Sequence, residues 1–143
     1  MNTATLDATP AASRKGLRIA LWAVQALLAA AFGMAGVMKS FTPIAQLAPN
    51  LPWVTQVPEW LVRFIGASEL AGALGLVLPS LTRVKPVLTV AAAAGLVVVM
   101  VLAAGFHVMQ GEPQLMAPSV VLGALAAFVA WGRAKAAPIA ARS

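Results

Sequence analysis

Four apolar stretches, each long enough to cross a bilayer, alternate along this chain with short polar segments. Ile19–Met38 contains Gln25 as its single polar residue. About 20 residues at ~1.5 Å rise span a hydrocarbon core of ~30 Å, so this stretch predicts the first membrane helix. Leu61–Leu78 predicts the second, closed by Pro79. Val87–Val108 predicts the third, and Leu115–Trp131 the fourth after the turn Gln110-Gly111-Glu112-Pro113. Between the first two, Phe41–Trp60 carries prolines at 43, 49, 52 and 58 and tryptophans at 53 and 60. That proline density excludes a long helix, and tryptophan favours the headgroup level. The segment reads as an ordered loop with one short helix near Pro43–Leu47. Residues 1–13 are small and polar and read as a disordered tail. The expected architecture is all-α: one four-helix transmembrane bundle over residues 14–132, followed by a basic tail over 133–143.

Composition supports lipid as the solvent. Hydrophobic residues make up 61% of the 143 and charged residues 10%, with a mean hydropathy of +0.89. A soluble domain has about 45–50% apolar and about 25% charged residues. A chain of this size has too little interior to hide the excess. Residues 14–36 resemble a signal peptide in layout, but the apolar run exceeds the usual ~7–15 residues, so an anchor is expected. Cysteine is absent, which excludes disulfides, thiolate metal sites and thiol redox chemistry.

The net charge of +6 is organised by topology rather than as a nucleic-acid face. Arg14, Lys15, Arg18, Arg83, Lys85, Arg133, Lys135 and Arg142 all fall on one side of four spans. The positive-inside rule makes that side cytoplasmic, with both termini there and the Trp-rich loop outside, in a bacterial-type inner membrane. Anionic lipid headgroups are the expected partners of these charges, and no nucleic acid is.

With that orientation the unusual polar residues gather in the outer half. Lys39 ends the first span, Arg63 opens the second, and His107 closes the third. Glu69 lies about 13 Å below Trp60 by helical rise. An intramembrane carboxylate is costly, by roughly 2.5–3.5 kcal/mol on insertion scales, and so rarely sits there without a partner or a task. Lys39, Arg63, Glu69 and His107 are therefore the candidate ligand-binding residues of a polar funnel descending from outside. Each has a blander explanation. Lys39 suits a snorkelling anchor, Arg63 pairs at i,i+4 with Glu59, His107 is interfacial polarity, and Glu69 closes an inter-helix pair. A lone His and a lone Glu do not make a metal site, and no nucleophilic triad, phosphate loop or dinucleotide fingerprint occurs.

Small residues suggest close helix packing: Gly33 and Gly36, Ala67-x-x-x-Ala71-x-x-x-Gly75, Ser68-x-x-x-Gly72, and the run Ala91–Gly95. Together with Gly33-Met34-Ala35-Gly36-Val37-Met38-Lys39, Arg63-Phe64-Ile65-Gly66-Ala67-Ser68-Glu69-Leu70 and Phe106-His107, they give the chain its resemblance to the DoxX-like family of small four-span membrane proteins. The resemblance covers Ile19 to Trp131. It implies the bundle, and its relatives include the membrane subunit of a thiosulfate:quinone oxidoreductase.

Two functional readings follow. In one, the funnel binds an amphipathic small molecule such as a quinone, with no covalently bound cofactor, within a redox or respiratory system. Any enzymatic role would then be that of a quinone-linked oxidoreductase subunit. Hydrogen-bond donors for quinone oxygens and a carboxylate for protons are what such a site needs. In the other, the protein is an accessory or scaffold subunit of a larger membrane complex, or self-associates. A proton-coupled exporter is a third reading, weakened by the cations around Glu69.

Overall fold

The computed structural model describes residues 11–143, with side chains from Arg14 onward. The chain forms α1 (Ala11–Phe41), α2 (Ile44–Leu47), α3 (Glu59–Thr82), α4 (Val87–Met109) and α5 (Ala117–Trp131). Short 3₁₀ turns at Pro52–Thr55 and Pro113–Met116 lead into α3 and α5, and a π turn covers Gly132–Ala136. No strand occurs among the described residues. Four segments are long and apolar enough to cross a membrane: Arg14–Phe41, Glu59–Thr82, Val87–Met109 and Pro113–Ala136. Large apolar side chains also cover the outside of the bundle, among them Ile19, Leu27, Leu74, Val98, Leu102 and Val121. Helices apolar on their outer face as well as their inner one belong in lipid.

The helices neighbour one another in chain order, with α1 packed most extensively on α3, and α4 on both α3 and α5. The α1–α5 seam is thinner. The core sits at mid-height, where Leu28, Phe32, Ala73, Leu76, Leu96, Met100, Ala126 and Val129 interlock. A small second core of Leu47, Val54 and Val62 fixes the α1–α3 loop onto the bundle. Below, "loop end" denotes the end carrying this loop and "basic end" the opposite one.

Helix α1 starts at Ala11 rather than Ile19, so Ala11–Ser13 of the expected tail are helical; residues 1–10 of that tail lie outside the described residues. A larger departure concerns Pro79. Expected to close the second span, it lies inside α3, which continues to Thr82. Proline removes the hydrogen bond to the residue four before it and crowds that turn. Neighbouring helices place polar side chains beside this turn. Gln25 Nε2 donates to Leu76 O at 2.5 Å, and Ser80 Oγ bonds Thr89 Oγ1 at 2.7 Å. Membrane helices tolerate proline where neighbouring side chains and local adjustments keep the turn polar-compatible.

The glycines that matter are fewer than the sequence pattern suggests. A Cβ on Gly36 would lie 2.7 Å from Leu70 N and 2.8 Å from Gly66 O, so α1 and α3 cross there backbone to backbone. Gly72 faces Leu96 and Gly75 faces Ala92, which brings α4 close on another side of α3. Ala67 and Ala71 are exposed instead, and a Cβ on Gly95 would meet nothing within 4 Å. The small-residue stripe thus marks two real seams and several lipid-facing positions.

Gly36→Ala is expected to lower the melting temperature in detergent, since overpacking against rigid backbone costs about 1–3 kcal/mol. Gly95→Ala should match the wild type or exceed it slightly, because alanine is the better helix former. Equal melting of the two variants would mean that the α1–α3 crossing is wrong.

Candidate functional site

The close crossing at Gly36 and Gly66 determines what faces what across the α1–α3 seam. Lys39 follows in the last turn of α1, and Glu69 lies on the stripe Val62, Gly66, Glu69, Ala73, Leu76 and Ser80 that α3 buries. The Lys39 ammonium donates to both carboxylate oxygens of Glu69, at 2.8 and 2.7 Å. Glu69 is only 2% exposed, which makes this a desolvated ion pair rather than a surface one. The cation also lies 5.9 Å from the Trp53 ring centroid, within cation–π range.

Arg63 has a different task. Its Nη1 donates to Lys39 O at 2.8 Å and Thr42 O at 2.7 Å, two carbonyls at the end of α1. Its Nε and Nη2 hold Glu59 Oε1 at 3.2 and 2.8 Å. Carbonyls at a helix C-terminus lack intrahelical partners, and a guanidinium is well shaped to serve two of them. With four of its five N–H donors committed to the cap and to Glu59, Arg63 stays outside the cavity wall. It positions Lys39 from behind.

Beside the ion pair lies a cavity of about 890 Å³, bounded by α1, the α1–α3 loop and the loop-end halves of α3, α4 and α5. Lys39, Glu69 and His107 all contribute to its wall. Of the four residues singled out from the sequence, the structure therefore brings three to one space and sets Arg63 apart. The rest of the wall is mainly apolar, and one side is aromatic. Trp53 meets Phe106 edge-on with centroids 6.4 Å apart, and Phe106 meets His107 at 5.8 Å. His107 Nδ1 lies 3.8 Å from Glu112 Oε2, too far for a hydrogen bond, and finds no other partner. Gln110 Nε2 donates to Gln56 Oε1, tying the α4–α5 turn to the loop above the cavity. Among the described residues no three His, Asp or Glu side chains gather as a metal ion would need.

A second polar cluster at the basic end escaped the sequence reading. Arg133 starts the basic tail expected from the sequence, yet it is 5% exposed. Its Nε donates to Gln25 Oε1 at 2.6 Å, Nη1 donates to Ala137 O at 3.3 Å, and the guanidinium lies 5.3 Å from the Trp22 ring centroid. The π turn is responsible. Ala137 N bonds Gly132 O at 2.7 Å, five residues back, and the widened turn swings Arg133 into the bundle. Gly132 permits this by leaving room for the Leu21 side chain. One available signal was Gln25 itself, a buried amide that needs partners.

The fold and site together define a small multi-pass membrane bundle with one large apolar cavity reached by a buried ion pair. The profile of the DoxX-like family matches residues 23–129. The chain belongs to that family. No curated protein and no solved structure matches it.

Removing one partner of the ion pair should cost far more than removing both. Lys39→Met strands a buried carboxylate and should destabilise the protein by about 3–5 kcal/mol. The double change Lys39→Met with Glu69→Leu should recover most of that loss. Thermal melting of the three proteins in one detergent checks this, and additive losses would show that the two side chains do not interact.

Proposed function

We propose that the protein binds an amphipathic small molecule of the quinone type in the loop-end cavity, as part of a redox or respiratory system in a bacterial-type inner membrane. The observation that carries this reading is the Lys39–Glu69 pair in the wall of an otherwise apolar, aromatic-sided cavity. A volume of about 890 Å³ falls within the ~300–1,000 Å³ of small-molecule sites, where a few placed polar groups orient an apolar body. Lys39 has three N–H donors and spends two on Glu69, and His107 keeps a ring nitrogen without a partner. These groups suit carbonyl oxygens on an apolar ring. Phe64 and Leu102 belong both to the cavity wall and to the exposed face of the bundle, which supports entry from the bilayer. A bound quinone would supply electron-carrying chemistry. The chain contributes donors, a dry wall and a carboxylate that can hold a proton.

A second reading rests on the same pair. Both oxygens of Glu69 are satisfied by Lys39, and the bond joins the two most closely packed helices. That suffices for a scaffold or accessory subunit with no ligand. A short-chain quinone titrated into purified protein separates the two readings. The first expects saturable quenching of tryptophan fluorescence, reduced in Trp53→Phe and abolished in Glu69→Gln, each variant being measured below its own melting temperature. Quenching that stays linear in quinone, or is equal in wild type and Glu69→Gln, would remove the binding reading.

The orientation proposed places both termini and the α3–α4 turn in the cytoplasm and the Trp-rich loop outside. The chain has no native cysteine, so single reporters are unambiguous. Ser80 is buried against Thr89, and the exposed Val84 is the better reporter for that turn. An impermeant thiol reagent added to intact cells should label Thr55→Cys and spare Val84→Cys. The reverse pattern would invert the topology.

A further inference from the structure

The polar cluster at the basic end takes no part in the loop-end site. Arg133 is buried, and its Nη2 has no hydrogen-bond partner. Among the described residues no acidic side chain reaches it. Glu59, Glu69 and Glu112 are all engaged at the loop end, and Asp7 lies outside the described residues. A guanidinium withdrawn from water with no counter-charge is strongly disfavoured, so such sites attract an anion.

A cavity of about 530 Å³ adjoins it. Its wall comes from three separate parts of the chain: Ser80 and Lys85 around the α3–α4 turn, Arg133 from the π turn, and Pro138 and Ile139 from the closing segment. That segment is held in place, because Arg142 N donates to Arg83 O at 2.8 Å. The fold therefore assembles a cavity with two cations, Lys85 and Arg133, in a mainly apolar wall at one end of the spans. Arg14, Lys15, Arg18, Arg83, Lys135 and Arg142 surround this end and raise the local anion concentration.

We propose that this cavity binds a phosphate-bearing anion, supplied as an anionic lipid headgroup or as free phosphate, with Lys85 and Arg133 as its cationic partners. Gln25, the Ala137 carbonyl and the Trp22 ring already hold the guanidinium in place, so little side-chain freedom is lost on binding. Basic pockets between membrane helices recognise lipid phosphates by the same physics. Nothing in this inference depends on the loop-end cavity or its ligand.

The test uses full-length protein, delipidated in a neutral detergent and titrated with phosphatidylglycerol, phosphatidylcholine or inorganic phosphate. Melting is followed by tryptophan fluorescence, and retained lipid is counted by native mass spectrometry. Phosphatidylglycerol should raise the melting temperature, and phosphatidylcholine should not. Lys85 is exposed, so Lys85→Gln leaves the core intact, and it should weaken the apparent affinity for phosphatidylglycerol about fivefold. Lys135→Gln removes the same charge from the same end outside the cavity wall and should leave affinity unchanged. Arg133→Gln should abolish the lipid-induced shift, whatever its own melting temperature. A Lys85-dependent shift with inorganic phosphate alone supports the site with free phosphate as its source. A shift confined to phosphatidylglycerol supports it with lipid. Equal weakening in Lys85→Gln and Lys135→Gln would mean diffuse surface attraction and overturn the proposal, as would the absence of any anion-induced shift in the wild type.

Discussion

The absence of side chains at Gly36 and Gly66 governs the loop end of this bundle. With the backbones of α1 and α3 in contact there, the two helices cannot slide relative to each other. That register brings Lys39 to Glu69 and aligns the end of α1 with Arg63. Hydrophobic burial cannot supply such register in lipid, because the solvent is as apolar as the side chains. Close packing and polar contacts must supply it instead. The ion pair and the Arg63 cap depend on the glycine crossing, and they in turn hold α1 and α3 together beside the cavity.

Charge is partitioned between the two ends. All three acidic residues with described side chains sit at the loop end, each opposite a cation or a histidine. The basic end has eight cations and, among the described residues, no acidic side chain. One end is therefore internally compensated and the other carries an excess of positive charge. This asymmetry explains why a charge buried at the loop end is paired within the chain, whereas Arg133 is held by an amide, a carbonyl and an aromatic face.

Much of the fold was legible because apolar runs of membrane length are hard to place anywhere else. Val87–Val108 differs from the observed α4 by a single residue. Boundaries failed where tertiary contacts overrode local rules. Pro79 reads as a stop, yet Gln25, Ser80 and Thr89 supply polar contacts that no linear pattern reveals. The candidate site was partly legible. Glu69 announces itself by the cost of a carboxylate in hydrocarbon, and Lys39 and His107 follow from depth along the spans. Depth alone cannot show in which direction a side chain points, so Arg63 was grouped with them although it faces the end of α1. Arg133 was lost for the opposite reason, since a residue just past an apolar run looks solvated until a π turn folds it back.

The mid-height core bears on which functional reading the structure favours. Leu28, Phe32, Ala73 and Leu76 are at most 5% exposed and fill the space between Glu69 and Gln25. The two polar clusters are separated by this packed apolar layer, not joined by a row of polar side chains. A proton-coupled exporter needs its carboxylate to meet both faces of the membrane in turn, which calls for polar groups or water on each side of it. Glu69 has a cavity on one side and close-packed hydrocarbon on the other. A carboxylate so placed, fixed by a lysine and backed by a closed apolar layer, fits the proposed binding role better than a transport path.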